Sequence, residues 1–119
     1  MELFIDANGA FTPAQSVRFA EAIRQYDVRW FEEPVSSDDE AGLRFVRQST
    51  PSSMEVTAGE YVFTLDGARR LLSAGAVDIL QADAIRCRGT FGFLKIAALA
   101  ILSPLGALRQ RCGTLSRQF

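Results

Sequence analysis

Four carboxylates, Asp6, Glu32, Glu60 and Asp83, recur along the 119 residues at nearly constant spacing, and each comes just after a short apolar run. Acids gathered in one place repel one another unless a cation neutralises them, and a set of oxygen donors alone suits a hard divalent ion such as Mg²⁺. The sequence contains no histidine, which makes zinc a poor candidate. Taken singly, each acid reads as a helix-entry residue or a solvated loop charge, because strand-to-helix loops are commonly polar. Four in register favour a metal site.

Elements of regular structure must bring these acids together. Leu3-Phe4-Ile5, Val28 to Phe31, Met54 to Ala58 and Val77 to Gln81 have strand character, and each is separated from the next by a segment of helical period. In the first such segment Thr12, Pro13 and Gln15 supply an N-cap, a first-turn proline and the third residue of a capping box. Val17, Phe19, Ala20 and Ile23 then line one face. Ser36 or Ser37, with Asp38, Asp39 and Glu40, opens a second helix in which Leu43 and Val46 face inward. Thr64 opens a third, with Leu71 and Leu72 buried and Gly75 as its C-cap. Phe93, Leu94, Ile96, Ala97 and Leu99 mark a fourth, mostly apolar helix.

Strands alternating with helices imply a parallel sheet, since parallel neighbours need a long crossover. The pattern fits a (β/α)₈ barrel or a doubly wound sheet, and in both the ligand sits at the C-terminal ends of the strands, where the four acids fall. The barrel is favoured because its strand ends converge on one centre. At about 250 residues for a whole barrel, this chain supplies only part of one, an α/β fold of about four βα units.

Asp6-Ala7-Asn8, Trp30-Phe31-Glu32-Glu33-Pro34, Ala58-Gly59-Glu60 and Gln81-Ala82-Asp83-Ala84-Ile85-Arg86 together resemble the successive strand-end motifs of the enolase superfamily, closest to its mandelate racemase branch, over residues 2 to about 99. The resemblance implies a partial TIM barrel covering the third to sixth strands. Asp6, Glu32 and Glu60 would be the Mg²⁺ ligands of the third, fourth and fifth strands, and Asp83 would orient a catalytic histidine from the seventh. The muconate-lactonizing branch usually has an aspartate as third ligand and a lysine on the next strand, where this chain has Glu60 and Asp83. The implied activity is that of a racemase or dehydratase removing the α-proton of a carboxylate, an acid sugar, with the metal stabilising the enediolate as the superfamily is known to do.

Other residues carry weaker signals. Asn8 and Glu33 are candidates for substrate or second-layer contacts, or are simply loop residues. Arg86 is placed to pair with Asp83 or with a substrate carboxylate, or to be solvated. Trp30 and the nine phenylalanines are expected in the core. Cys87 and Cys112 form no metal or redox spacing, and reduced thiols fit a cytoplasmic protein.

Two elements of the family pattern are missing from these residues: a capping domain and an early Lys-x-Lys whose second lysine is a base. Met1 directly precedes the third-strand motif, as an internal start in a longer ancestral frame would leave it. Residues 1–83 carry 14 acidic and 7 basic side chains, whereas residues 84–119 carry no acidic and 6 basic ones. Residues 1–100 are thus expected to be the partial barrel and 101–119 a tail without family pattern. Shifting the frame by one nucleotide over Ser103 to Gln110 permits a string ending in histidine-cysteine-alanine, similar to the family's seventh strand, so a frameshift is expected there in preference to a genuine alternative terminus. Arg88 stands where the family pattern has glycine.

A net charge of −1 and 48% hydrophobic residues suit a soluble α/β chain, without nucleic acid or membrane as partner. The longest apolar stretch, Ile96 to Leu102, is seven residues, far below the roughly 18 to 20 of a membrane span. A part barrel leaves sheet edges and apolar interior uncovered, so the chain is expected to self-associate, as a homo-oligomer or an aggregate, or to pack loosely. The two functions that follow are a Mg²⁺-dependent acid-sugar enzyme, inactive as this chain alone, and a truncated non-catalytic fragment that is partially folded or depends on a partner.

Overall fold

The alternation of apolar runs and helical periods folds, in the computed structural model, as four successive βα units, described over residues 2–103. They are β1 (Leu3–Asp6) and α1 (Pro13–Ala22), β2 (Val28–Glu32) and α2 (Glu40–Ser49), β3 (Glu55–Ala58) and α3 (Leu65–Ser73), and β4 (Ile79–Leu80) and α4 (Gly89–Leu102). The strands lie in chain order β1-β2-β3-β4, each parallel to its neighbour. This is a segment of a TIM barrel wall, with β1 and β4 as the outer strands among the described residues.

Register places Asp6 opposite Glu32, Glu32 opposite Thr57 and Thr57 opposite Ile79. Because side chains alternate along a strand, Phe31 and Val56 turn to the helices while Trp30, Glu32 and Thr57 turn to the other face. The helix side is the dry one. Val56 and Ala58 pack with Leu43 and Val46 of α2, Ala68 and Leu71 of α3 and Ile96 of α4. Phe31 and Val28 pack with Ala20 of α1 and Met54, and Phe19 lies against Phe31 with ring centroids 5.9 Å apart.

Local signals set the helix starts. Thr12 and Gln15 complete the expected capping box, and Thr64 accepts the Gly67 N–H at 3.1 Å. At the end of α3 the Ala76 N–H reaches the Leu71 carbonyl and the Gly75 N–H that of Leu72, a Schellman closure that needs the left-handed φ of +61° at Gly75. The second helix departs in detail: Asp39, not a serine, is the N-cap, accepting the Gly42 N–H at 2.8 Å, while Ser36 accepts the Asp38 N–H in the preceding turn. Ile23 falls just beyond α1, where a 3-10 turn begins, and β4 is shorter than its apolar run. The fourth helix extends to Leu102, two residues past the expected boundary. Residues 104–119, with the frameshift expectation and Cys112, lie outside the described residues.

The aromatic expectation needs correction. Phe31 is fully buried, but Phe4 is 49% exposed and Phe91 83%, because Phe4 stands on the sheet face away from the helices and Phe91 on the outer side of α4. Phe45 and Phe63 are also exposed. On the open sheet face, Phe4, Arg29, Trp30 and Glu55 line a cleft of about 350 Å³. No helix among the described residues is long and apolar enough to cross a membrane.

Candidate metal centre

Asp6 and Glu32 end their strands side by side, and the Ala7 N–H donates to the Glu32 carbonyl at 3.0 Å. Glu60 is delivered by the turn after β3. Gly59 has φ +130° there, and a Cβ would collide with the Gln81 carbonyl oxygen, so glycine alone fits. Asp83 and Arg86 follow β4 in a turn that Asp83 closes, its Oδ1 accepting the N–H groups of Ile85 at 2.7 Å and Arg86 at 3.2 Å.

Each acid of the trio has a partner. Asp6 Oδ1 accepts the Asn8 N–H at 2.8 Å, with Asn8 at φ +49°, a conformation asparagine tolerates. Glu32 Oε2 accepts from the Trp30 indole at 3.0 Å. The Gln81 amide also reaches Glu32, and Gln81 in turn accepts from the Thr57 hydroxyl at 3.3 Å. Glu60 Oε1 pairs with Arg86 Nη2 at 3.1 Å, and Arg86 Nε lies 3.9 Å from Asp83 Oδ2 while its guanidinium covers the Tyr61 ring. Trp30 is therefore a carboxylate partner, not core filling.

Burial raises the Glu32 carboxyl above its ordinary range; Asp6 and Glu60 push it further, while the Trp30 and Gln81 hydrogen bonds pull it back. Glu33 is pushed up to about 7, chiefly by burial, then by Glu60 and, more weakly, by Asp6 and Glu32, against the Gly59 N–H that its carboxyl accepts. These couplings put four carboxyls within electrostatic reach of one another. Yet among the described residues no three acids or cysteines converge closely enough to hold a metal ion as they stand. The donor set fits a hard cation in its chemistry, all oxygen, and the neighbouring Glu33 has one buried carboxyl oxygen lacking a partner; closing the set on an ion requires Glu60 to leave Arg86.

Sequence reasoning reached Asp6, Asn8, Glu32, Glu33, Glu60, Asp83 and Arg86, and the structure places all seven at the C-terminal ends of the strands. Gln81, Thr57 and Tyr61 were missed. Gln81 and Thr57 stand on the same sheet face as Glu32, a signal carried by strand alternation. The Arg86 pairing with Glu60 had none, since it depends on how two turns lie side by side. Cys87 is a buried free thiol, and its burial pushes its pKa up.

Acids above the C-terminal ends of a parallel sheet, with helices on its other face, define a segment of a (β/α)₈ barrel wall. The chain belongs to the enolase C-terminal domain-like family, matched over residues 1–105. It is 39% identical to the L-rhamnonate dehydratase of Saccharopolyspora erythraea over 82% of its own length and 25% of that protein's. With the D-galactarolactone cycloisomerase of Agrobacterium fabrum the identity is 38%, over 96% of this chain and 30% of the relative. Among solved structures, an enolase from Bradyrhizobium complexed with magnesium and mandelic acid superposes with a TM-score of 0.86 at 27% identity, covering 97% of this chain and 30% of that one. The chain thus spans about a quarter to a third of the length of these proteins.

Proposed function

We propose that these residues form the Mg²⁺-binding part of an acid-sugar dehydratase or racemase that removes the α-proton of a carboxylate substrate, and that the 119 residues alone do not turn over. The observation that carries this is the register that sets Asp6 beside Glu32, with Glu60 close enough to raise the Glu32 carboxyl. Asp6, Glu32 and Glu60 are the ligands, Asp83 the orienting acid, and Asn8, Glu33 and Arg86 the surrounding polar groups. Magnesium held by Asp6, Glu32 and Glu60 would supply positive charge against the negative charge developing on a substrate carboxylate. The dehydration and cycloisomerisation named for the relatives, and the magnesium and mandelic acid of the solved neighbour, support that chemistry.

Proton abstraction also needs a base within hydrogen-bond reach of the substrate. The sequence holds no histidine, and its single lysine, Lys95, is on α4. Asp83 is already engaged, its Oδ1 by two backbone N–H groups and its Oδ2 facing Arg86 Nε at 3.9 Å. On this reading the base is supplied by a residue that these 119 do not include. A second reading, a non-catalytic fragment, is favoured by Arg86, whose guanidinium already neutralises Glu60.

Titration calorimetry with MgCl₂ tests the ligand set: Glu32→Gln is expected to weaken binding at least tenfold, and equal affinity in both proteins overturns the assignment. For turnover, the protein is incubated with Mg²⁺ and a panel of acid sugars in D₂O. No deuterium is expected at the α-carbon; incorporation that Glu60→Gln abolishes would show that this chain carries its own base.

A further inference from the structure

Glu33 departs from the strand pattern in three independent ways. Its backbone has φ +39°, a left-handed conformation that a side chain with a Cβ rarely adopts. Its side chain is buried to 2% exposure. One of its carboxyl oxygens, Oε1, is the buried side-chain oxygen without a hydrogen-bond partner among the described residues. A strained, buried and unsatisfied carboxyl persists only where the surroundings dictate it.

The surroundings are two loops that carry acids. The Glu33 N–H donates to the Thr57 carbonyl at 2.8 Å, and the Glu33 carbonyl accepts the Gly9 N–H at 2.8 Å. Its carboxyl also accepts the Gly59 N–H. Glu33 therefore ties the turn after Asp6 to the turn that delivers Glu60. Positive φ also breaks the alternation that would put Glu32 and Glu33 on opposite faces, bringing both carboxyls into the field of Asp6 and Glu60.

We infer that Glu33 is the positioning residue of the acid centre, tied by its backbone to the turn after Asp6 and to β3, its carboxyl meeting the Glu60 loop at Gly59 and its unpartnered Oε1 left as an acceptor for a water of a hydrated divalent cation. Mg²⁺ keeps several of its waters when bound by carboxylates, and those waters are donors that need acceptors around the ligands. The free Oε1 is such an acceptor. Filling it from Asp6, Glu32 or Glu60 would place two carboxylate oxygens in contact without a proton or cation between them.

This inference rests on the metal-binding reading, and its test separates the two. Mn²⁺ affinity is measured by electron spin resonance on the whole 119-residue protein, alongside exchange protection of the Gly59 amide and the unfolding midpoint. Glu33→Gln keeps a carbonyl oxygen for Gly59 but replaces the second acceptor with a donor. It is expected to retain Gly59 protection and the cooperative transition while losing about tenfold or more in Mn²⁺ affinity. Glu33→Ala is expected to lose both affinity and Gly59 protection. Wild-type affinity in Glu33→Gln, with Glu32→Gln weakened, overturns the role of Glu33 and leaves the ligand trio standing. Loss of Gly59 protection in Glu33→Gln reduces the residue to a structural strut and also overturns it. Wild-type protein that binds no Mn²⁺ overturns both readings.

Discussion

The first three βα units and the fourth are built to different standards. β1, β2 and β3 run four or five residues, their acids end strands or follow a glycine turn, and α1, α2 and α3 are each opened by a side-chain cap from Thr12, Asp39 or Thr64. β4 is two residues long, and the N-cap of α4, Arg88, has φ +71° and makes no side-chain cap. The outer side of α4 shows Phe91, Leu94, Ile101 and Leu102 to solvent. The lesson is that a site can be framed by register and caps on one side while the neighbouring unit rests mainly on Ile96, Phe93 and Leu99 packing inward.

The largest way to break this comparison is in the core of the well-built side. Phe31→Ala is expected to cost about 3 to 5 kcal/mol, enough to unfold a marginal chain, whereas Phe91→Ala should leave the unfolding free energy nearly unchanged. Urea titration of both variants measures the contrast, and similar losses would contradict it.

Glu33 gives the next largest effect. Its carboxyl titrates near 7 in the folded chain against an ordinary 4.5, so the folded state holds the proton more tightly. The stabilisation is present below pH 4.5 and is lost as pH rises through 7, on the order of 3 kcal/mol. With a chelator present, stability should fall between pH 5 and 8 in the wild type and stay flatter in Glu33→Gln; parallel profiles would remove the effect.

Caps provide the smaller contrasts. Thr64→Ala should cost about 1 kcal/mol by freeing the Gly67 N–H. Arg88→Gly should instead stabilise the chain by about 0.5 to 1 kcal/mol, since glycine adopts the left-handed conformation without penalty. Opposite signs in thermal unfolding sharpen the difference between the two regions; a destabilised Arg88→Gly would erase it.

The same contrast explains what was legible in the sequence. The Thr12 capping box, the Thr64 cap, Gly75 and the buried pairs Leu43 with Val46 and Leu71 with Leu72 are local signals, each readable within a few residues. So was the alternation of strand and helix that fixes a parallel wall, and with it the grouping of Asp6, Glu32 and Glu60 at one end. What escaped depends on distance across the fold. Trp30 lies in an apolar run, and nothing local says that its indole serves Glu32 instead of the core. Arg86 meets Glu60 only because the turns after β3 and β4 lie together, and Glu33 takes its left-handed φ where its backbone bonds Thr57 of β3 and Gly9 of the turn after β1.

The chain-order sheet has a consequence for how this protein comes into being. Each strand pairs with the one before it, Leu3 with Val28, Phe31 with Val56 and Thr57 with Ile79, so every closure spans about the same short stretch of chain. Loop-closure entropy is then similar at each step and never has to wait for a distant segment. On the ribosome, β2 can dock on β1 as soon as α1 and the following turn have emerged, and the wall can grow vectorially at the pace of synthesis. A sheet of this order can be assembled by accretion, with Asp6 and Glu32 becoming neighbours before Asp83 joins them.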